Sequence, residues 1–437
     1  MERFILKSST IISIKKQHLL PSNAKMNLPC LKLLEKAGLQ RKKEPLTFGI
    51  FLPKGLFFDC SHLGIKWVSG ESLDCCFTTL AKWQDGSLMW LLCAARVSLE
   101  GGQEKWIYFD DQGHNKRQGQ SLLKEEDEQN FYIKTGQSEF VLAKKGLMPF
   151  SRVRFKKRDL LQALELVLLL TDDKSQKWRS QVNKWQVQYD NNLHLSLFFF
   201  FFFKSRTDVY EICFSSNLQF YVGQDVLLMD VTLKNPKAAS HPGNIWDLGD
   251  SGSISFKDLS LSFALNEGVR DSFYLKSEPG QKAREVKNRV CLYQDSSGGE
   301  NWYSPNHVNK EGKIAVNFQG YEVREDELVL EKGKRAQPML VAAGQNGAIG
   351  ICVSDFWENF PKAIEGAGDF LRIGLFPEEF SDLFELQGGE QKTHTCYLAL
   401  GEQVDEVFGS LLKMQQGIEV LLDPKWLRQC GEFAGLL

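Results

Sequence analysis

The residues best suited to chemistry fall in four segments dense in Gly, Trp, Asn, Asp and His, types that line ligand loops more often than cores. The first is His241-Pro242-Gly243-Asn244-Ile245-Trp246-Asp247-Leu248-Gly249-Asp250-Ser251-Gly252. The second is Asp295-Ser296-Ser297-Gly298-Gly299-Glu300-Asn301-Trp302, with Asn306-His307-Val308-Asn309 close behind. Then come Asp355-Phe356-Trp357-Glu358-Asn359-Phe360-Pro361-Lys362 and Leu386-Gln387-Gly388-Gly389-Glu390-Gln391-Lys392-Thr393-His394. His307, in a polar loop, offers an imidazole either to a ligand or to a hydrogen bond that braces the loop. Lys392 and His394 are two residues apart where a strand begins near Thr393, which puts both on one side of it. Asp247 and Asp250 can present carboxylate oxygens to Ca²⁺. The same pair can instead brace turns through side-chain to backbone bonds.

Other chemistries are absent from the pattern. No P-loop, dinucleotide fingerprint, H-E-x-x-H or G-x-S-x-G occurs, which argues against nucleotide chemistry and serine hydrolysis. The 53 Lys and Arg nearly balance 55 Asp and Glu, so no global field attracts nucleic acid or an anionic membrane. Ten cysteines are scattered without a C-x-x-C pair and read mostly as reduced core thiols. The apolar patch at 10–14 ends at Lys15-Lys16, short of the roughly 7–15 residues of a secretory h-region. The run at 193–203 is half of the roughly 20 residues a membrane span needs. The expectation is a cytoplasmic protein without a membrane anchor.

Short apolar runs broken by Gly, Pro, Asp and Asn begin at Pro45 and read as many strands. In the first part they lie at 46–51, 75–83, 88–97, 105–109, 131–135 and 140–142, with Asp85-Gly86 as a hairpin turn. Later they lie at 185–189, 193–203, 209–214, 218–222, 225–233 and 254–263. Six consecutive phenylalanines, 198–203, predict a central strand buried on both faces. Helical spacing returns only at 404–414. The organisation expected is a poorly structured leader at 1–44, a small β-barrel with a polar linker at 45–128, a β-sandwich at 129–403, and a C-terminal helix and tail at 404–437.

Together with Phe48-Gly49-Ile50-Phe51-Leu52-Pro53-Lys54-Gly55 and Trp83-Gln84-Asp85-Gly86-Ser87-Leu88-Met89-Trp90-Leu91, the four segments resemble the exo-rhamnogalacturonan lyase and YetA-like family over about residues 45–430. The resemblance implies an all-β chain: a RIFT-type barrel, then a large antiparallel sandwich of the supersandwich kind, a short C-terminal helix, and normally an α/α toroid. Asp423-Pro424-Lys425-Trp426 looks like the lead-in to that toroid.

Enzymes of that family cleave uronate-containing, pectin-type glycans by β-elimination. Loss of the proton beside the uronate carboxylate builds an enolate-like dianion, which calls for cations or donors on the carboxylate. Arg324, Lys392 and Arg372 are the candidates. A base then removes the C5 proton, for which His307, His394 and Lys392 are the right types, and Tyr303 can protonate the leaving oxygen. Substrate contacts are expected from Trp246, Asn301, Trp302, Asn306, Trp357 and Glu390, the tryptophans by stacking on pyranose faces or, alternatively, by packing at a sandwich edge. No cofactor is required, Ca²⁺ aside. The expected partner is an oligo- or polysaccharide, together with a separate toroid-bearing chain if the enzyme is split. The alternative to a lyase is a carbohydrate-binding or structural remnant that does not cleave.

Overall fold

The computed structural model describes residues 28–113, 122–146, 149–162, 167–172, 176–204, 209–240, 249–305 and 308–431. The chain is all-β, built of antiparallel sheets, with two helices among the described residues, Val404–Gln415 and Pro424–Gln429. Neither is long and apolar enough to cross a membrane. It divides into two compact units, residues 1–119 with 416–437, and residues 120–415.

In the first unit, strand Cys30–Leu34 lies between Glu419–Leu422 and Glu104–Asp110, and Gly64–Trp67 completes the sheet. Arg41–Phe51, Leu88–Leu99 and Cys75–Lys82 form a second sheet. Leu33, Ile107 and Phe109 from one sheet share a core with Ile50, Leu91 and Cys93 from the other. The Asp85-Gly86 turn forms as expected: Gly86 takes φ 85° and the Trp83 amide donates to the Ser87 carbonyl at 2.8 Å.

Two expectations are corrected here. Residues 28–44 are not a loose leader: they supply Cys30–Leu34 and the start of Arg41–Phe51. Buried Glu35 closes the turn between them, accepting from the amides of Gly38 and Gly102 at 2.8 Å and pairing with buried Arg41 at 2.9 Å. Nor is the tail only a lead-in to another domain. Glu419–Leu422 extends the first sheet, and Trp426, 5% exposed, belongs to this unit's core with its indole donating to the Phe51 carbonyl at 2.7 Å.

The second unit holds a five-stranded sheet and a continuous 17-stranded antiparallel ladder among the described residues. The stretch expected to be a polar linker contributes strand Leu123–Glu126, paired with Asn130–Lys134. The ladder runs from Leu328–Gly333 to Arg284–Val286 and encloses one core, with Leu292, Ile373 and Leu261 from one part meeting Leu227, Leu398 and Ile351 from another. Strand Val226–Lys234 shows the local cause: Leu227, Met229, Val231 and Leu233 are buried, and the residues between them are half-buried, the period of two that a pleated strand imposes. Helix Val404–Gln415 lays Val407, Phe408 and Leu411 over Val341, Ala348 and Tyr397.

The phenylalanine run lies in strand His194–Lys204, but only one of its faces is in the core. Phe199, Phe201 and Phe203 are buried, whereas Phe200 is 39% exposed and Phe198 and Phe202 are half-buried. The reading of two buried faces is thereby corrected: the Phe200 side stays partly open to solvent.

Candidate functional site

Among the described residues, side-chain contacts join the Gly- and Trp-rich segments in the second unit. Arg335 is the link between two of them. Its guanidinium carbon sits 4.2 Å from the Trp357 ring centroid, and its Nε donates to the Ser297 carbonyl at 3.4 Å. Two residues beyond Trp357, the Asn359 carboxamide oxygen accepts a hydrogen bond from the Lys392 ammonium. The indole face, Arg335 and Lys392 thus belong to one connected set, with Trp357 and Lys392 half-buried and Arg335 exposed.

Glycine makes the loops fit. Gly298 has φ +67°, and a Cβ there would lie 1.9 Å from the Lys334 carbonyl oxygen, which packs the 297–299 turn tightly against the segment bearing Arg335. In the 386–394 segment, the Glu390 carboxylate accepts from the Gln387 amide at 2.9 Å and closes its own turn. Fully buried Asn235 donates to the carbonyls of Leu386 and Gly252 at 2.9 and 2.7 Å, which ties in the described end of the 241–252 segment.

Beneath this surface lies Lys362, buried, donating to the carbonyls of Asn359 at 2.9 Å and Leu375 at 2.6 Å, with its Nζ 5.3 Å from the Phe376 ring centroid. Burial, and then the charge of Lys392, push its amine down to about 7. Glu358 reaches solvent, yet partial burial and, after it, the Asp355 carboxylate raise its carboxyl above the ordinary range, with Arg335 opposing.

The expected site residues divide by location. Lys392 and Trp357 come together through the 355–362 loop. His394 sits on the same face of strand Gln391–Gly401 as Lys392, but it is 3% exposed and meets Phe376 edge-on, ring centroids 5.3 Å apart. It is placed to position its neighbours rather than to reach a polymer. Asn301 is exposed, and half-buried Trp302 packs on Tyr303, which is 56% exposed, at 5.2 Å between ring centroids. Arg324 is not among these contacts: it forks onto Glu322 at 2.6 and 3.0 Å. Arg372 is buried among carboxylates of its own chain. Trp246, Asn306 and His307 lie outside the described residues, as does Asp247. Both oxygens of Asp250 accept backbone amides, of Gly252 and Ser240, which braces the turn. Arg335 and Lys362 were not singled out as site residues by sequence reasoning. Lys362 stood in a quoted segment, whereas Arg335 lies in a charged stretch with no local mark.

No protein-family model matches the chain, and no curated protein matches it. Among solved structures it is similar to a protein in the glycosyl hydrolase family 38 from Enterococcus faecalis, at 10% identity, covering 92% of this chain and 48% of that one with a TM-score of 0.55. It is also similar to an alpha-mannosidase from Enterococcus faecalis V583, at 10% identity, covering 91% and 46% with a TM-score of 0.52. The chain spans about half the length of either. At such identity the likeness is one of fold.

Proposed function

We propose that this chain recognises uronate-containing glycans at the surface built by Trp357, Arg335 and Lys392, and that it belongs with the exo-rhamnogalacturonan lyase and YetA-like proteins. The observation that carries the reading is the contact of Arg335 with Trp357, 4.2 Å from guanidinium carbon to ring centroid, beside the Asn359-anchored Lys392. A uronate pyranose carries an apolar C–H face and a carboxylate. An indole answers the first, and a guanidinium and an ammonium answer the second. The fold-level likeness to carbohydrate-active proteins is in keeping with a sugar ligand.

The finer claim is β-elimination. In that step a base takes the C5 proton, the C4–O bond breaks, a C4–C5 double bond forms, and the leaving oxygen is protonated. Arg335 and Lys392 would hold the carboxylate as negative charge spreads into it. Exposed Tyr303 has the phenol to protonate the leaving group. The test is ultraviolet absorbance of unsaturated uronate during incubation of the full chain with rhamnogalacturonan and uronate oligomers, beside titration calorimetry. A rise lost in Lys392→Ala supports elimination. Heat of binding lost in Trp357→Ala, with no rise, supports recognition without cleavage. Neither heat nor absorbance on any acidic glycan defeats the proposal.

A further inference from the structure

The second unit carries another cleft, of about 390 Å³, lined in part by Arg289, Tyr293, Asn317, Phe318, Arg324 and Glu379. Two of its lining residues, Cys291 and Arg324, belong to a row of side chains set by the sheet register. Arg324 opposes Cys291, Cys291 opposes Glu365 on its other side, and Glu365 opposes Arg372. Backbone ladders hold the row, so its geometry exists before any ligand arrives.

The charges around this cleft are paired: Arg372 and the four carboxylates are largely withdrawn from water, whereas the side chains of Arg289, Arg324 and Lys332 are 45%, 49% and 68% exposed. Arg372 contacts Asp258 at 3.0 Å, Glu365 at 3.1 Å and Glu379 at 2.8 Å. Arg289 joins Glu365 at 2.5 Å, while Glu322 takes both Arg324 and Lys332 at 2.6 Å. Four cations, Arg289, Arg324, Lys332 and Arg372, balance four carboxylates, Asp258, Glu322, Glu365 and Glu379. The further carboxylates at the rim, Asp326 and Glu327, are exposed and screened by solvent. Burying such a cluster is a poor route to stability, because desolvation consumes most of the Coulombic gain.

We propose that this cleft binds a neutral pyranose. Every hydroxyl of a sugar both donates and accepts, so it can bridge a guanidinium and a carboxylate without disturbing their balance. An anion or cation of that size would compete for one partner of each pair and leave the other unmatched. Phe318 and Tyr293, whose rings meet edge-on at 5.9 Å, supply the apolar contact, and the volume lies in the range of small-ligand sites. A metal ion is the competing occupant, since ligand atoms of Cys291, Glu365 and Glu379 lie within 4.8 Å of one another. Both carboxylates are already held by arginine, and burial, then Glu379, keep the Cys291 thiol well above its usual range and so protonated.

This claim does not rest on the Trp357 surface. Titration calorimetry of the full chain with galactose, mannose and rhamnose, and separately with galacturonate, glucosamine and Zn²⁺, tests it. At least one neutral sugar saturates a site, Arg324→Ala and Asn317→Ala each weaken it about tenfold, and Trp357→Ala leaves it unchanged. Glu322 keeps Lys332 in Arg324→Ala, so the fold should hold, and the unfolding midpoint reports whether it does. The proposal is overturned if no neutral sugar binds or if binding ignores both substitutions. It is equally overturned if galacturonate or glucosamine is preferred through Arg324, or if Zn²⁺ binds and Cys291→Ser abolishes it.

Discussion

The imidazole of His194 lies flat on the phenol ring of Tyr221, centroids 4.7 Å apart and planes 6° from parallel. Burial pushes its pKa down to about 4 from 6.5, with Gln219 opposing. Between those values the unfolded chain binds the proton and the folded one does not, so stability is lost as pH falls through that window. The loss amounts to about 3 kcal/mol across it. Urea denaturation at pH 7 and pH 4.5 should show His194→Phe losing less stability on acidification than the parent chain. Equal losses would mean that this ring does not set the acid response.

The two faces of the phenylalanine strand should respond oppositely to truncation. Phe199, fully buried and edge-on to Phe131, should cost about 3–5 kcal/mol as Phe199→Ala. Phe200→Thr, on the exposed side, should stay within about 0.5 kcal/mol. It should also reduce aggregation, since it interrupts an exposed apolar strand. Denaturant titrations and light scattering of both variants check this.

Trp426→Ala should destabilise the first unit by about 3–5 kcal/mol. The indole fills part of that unit's core and donates to Phe51. Limited proteolysis should then cut within residues 28–113 while 122–415 remains protected. Unchanged protection of both regions would contradict the assignment of the tail to this core.

Gly298→Ala cannot keep its loop, because its Cβ would collide with the Lys334 carbonyl. The displacement carries Arg335 away from Trp357. Acidic-glycan affinity should fall about tenfold, matching Arg335→Ala. If Gly298→Ala binds as the parent chain does, the Arg335 contact is not what recognises the ligand.

Much of the strand pattern was legible because alternation is local: the 225–233 reading differs by one residue at each end from Val226–Lys234. The readings at 209–214 and 218–222 are one strand, Val209–Tyr221, since the polar Ser215-Ser216-Asn217 between them pairs with Thr232, Val231 and Asp230 in register. Depth is not local. Alternation puts Lys392 and His394 on one face, but whether that face is half-open or sealed depends on Phe376 and the 355–362 loop, remote in sequence. The same holds for residues 30–34, whose partners lie near 105 and 420, and for 41–44, whose partners lie near 98. Trp357 was legible from its loop composition, whereas Arg335 became visible only through its contacts.

The pairing of Cys30–Leu34 with Glu419–Leu422 makes the first unit a discontinuous one, interrupted by the whole of the second. A ribosome makes Phe51 about 375 residues before the tryptophan that caps it. At ordinary elongation rates that is a wait of roughly 20–75 s. The second unit is synthesised in full before the first can close. An unfinished sheet, with the flank of Cys30–Leu34 that Glu419–Leu422 will occupy still bare, is therefore the species that nascent-chain chaperones meet.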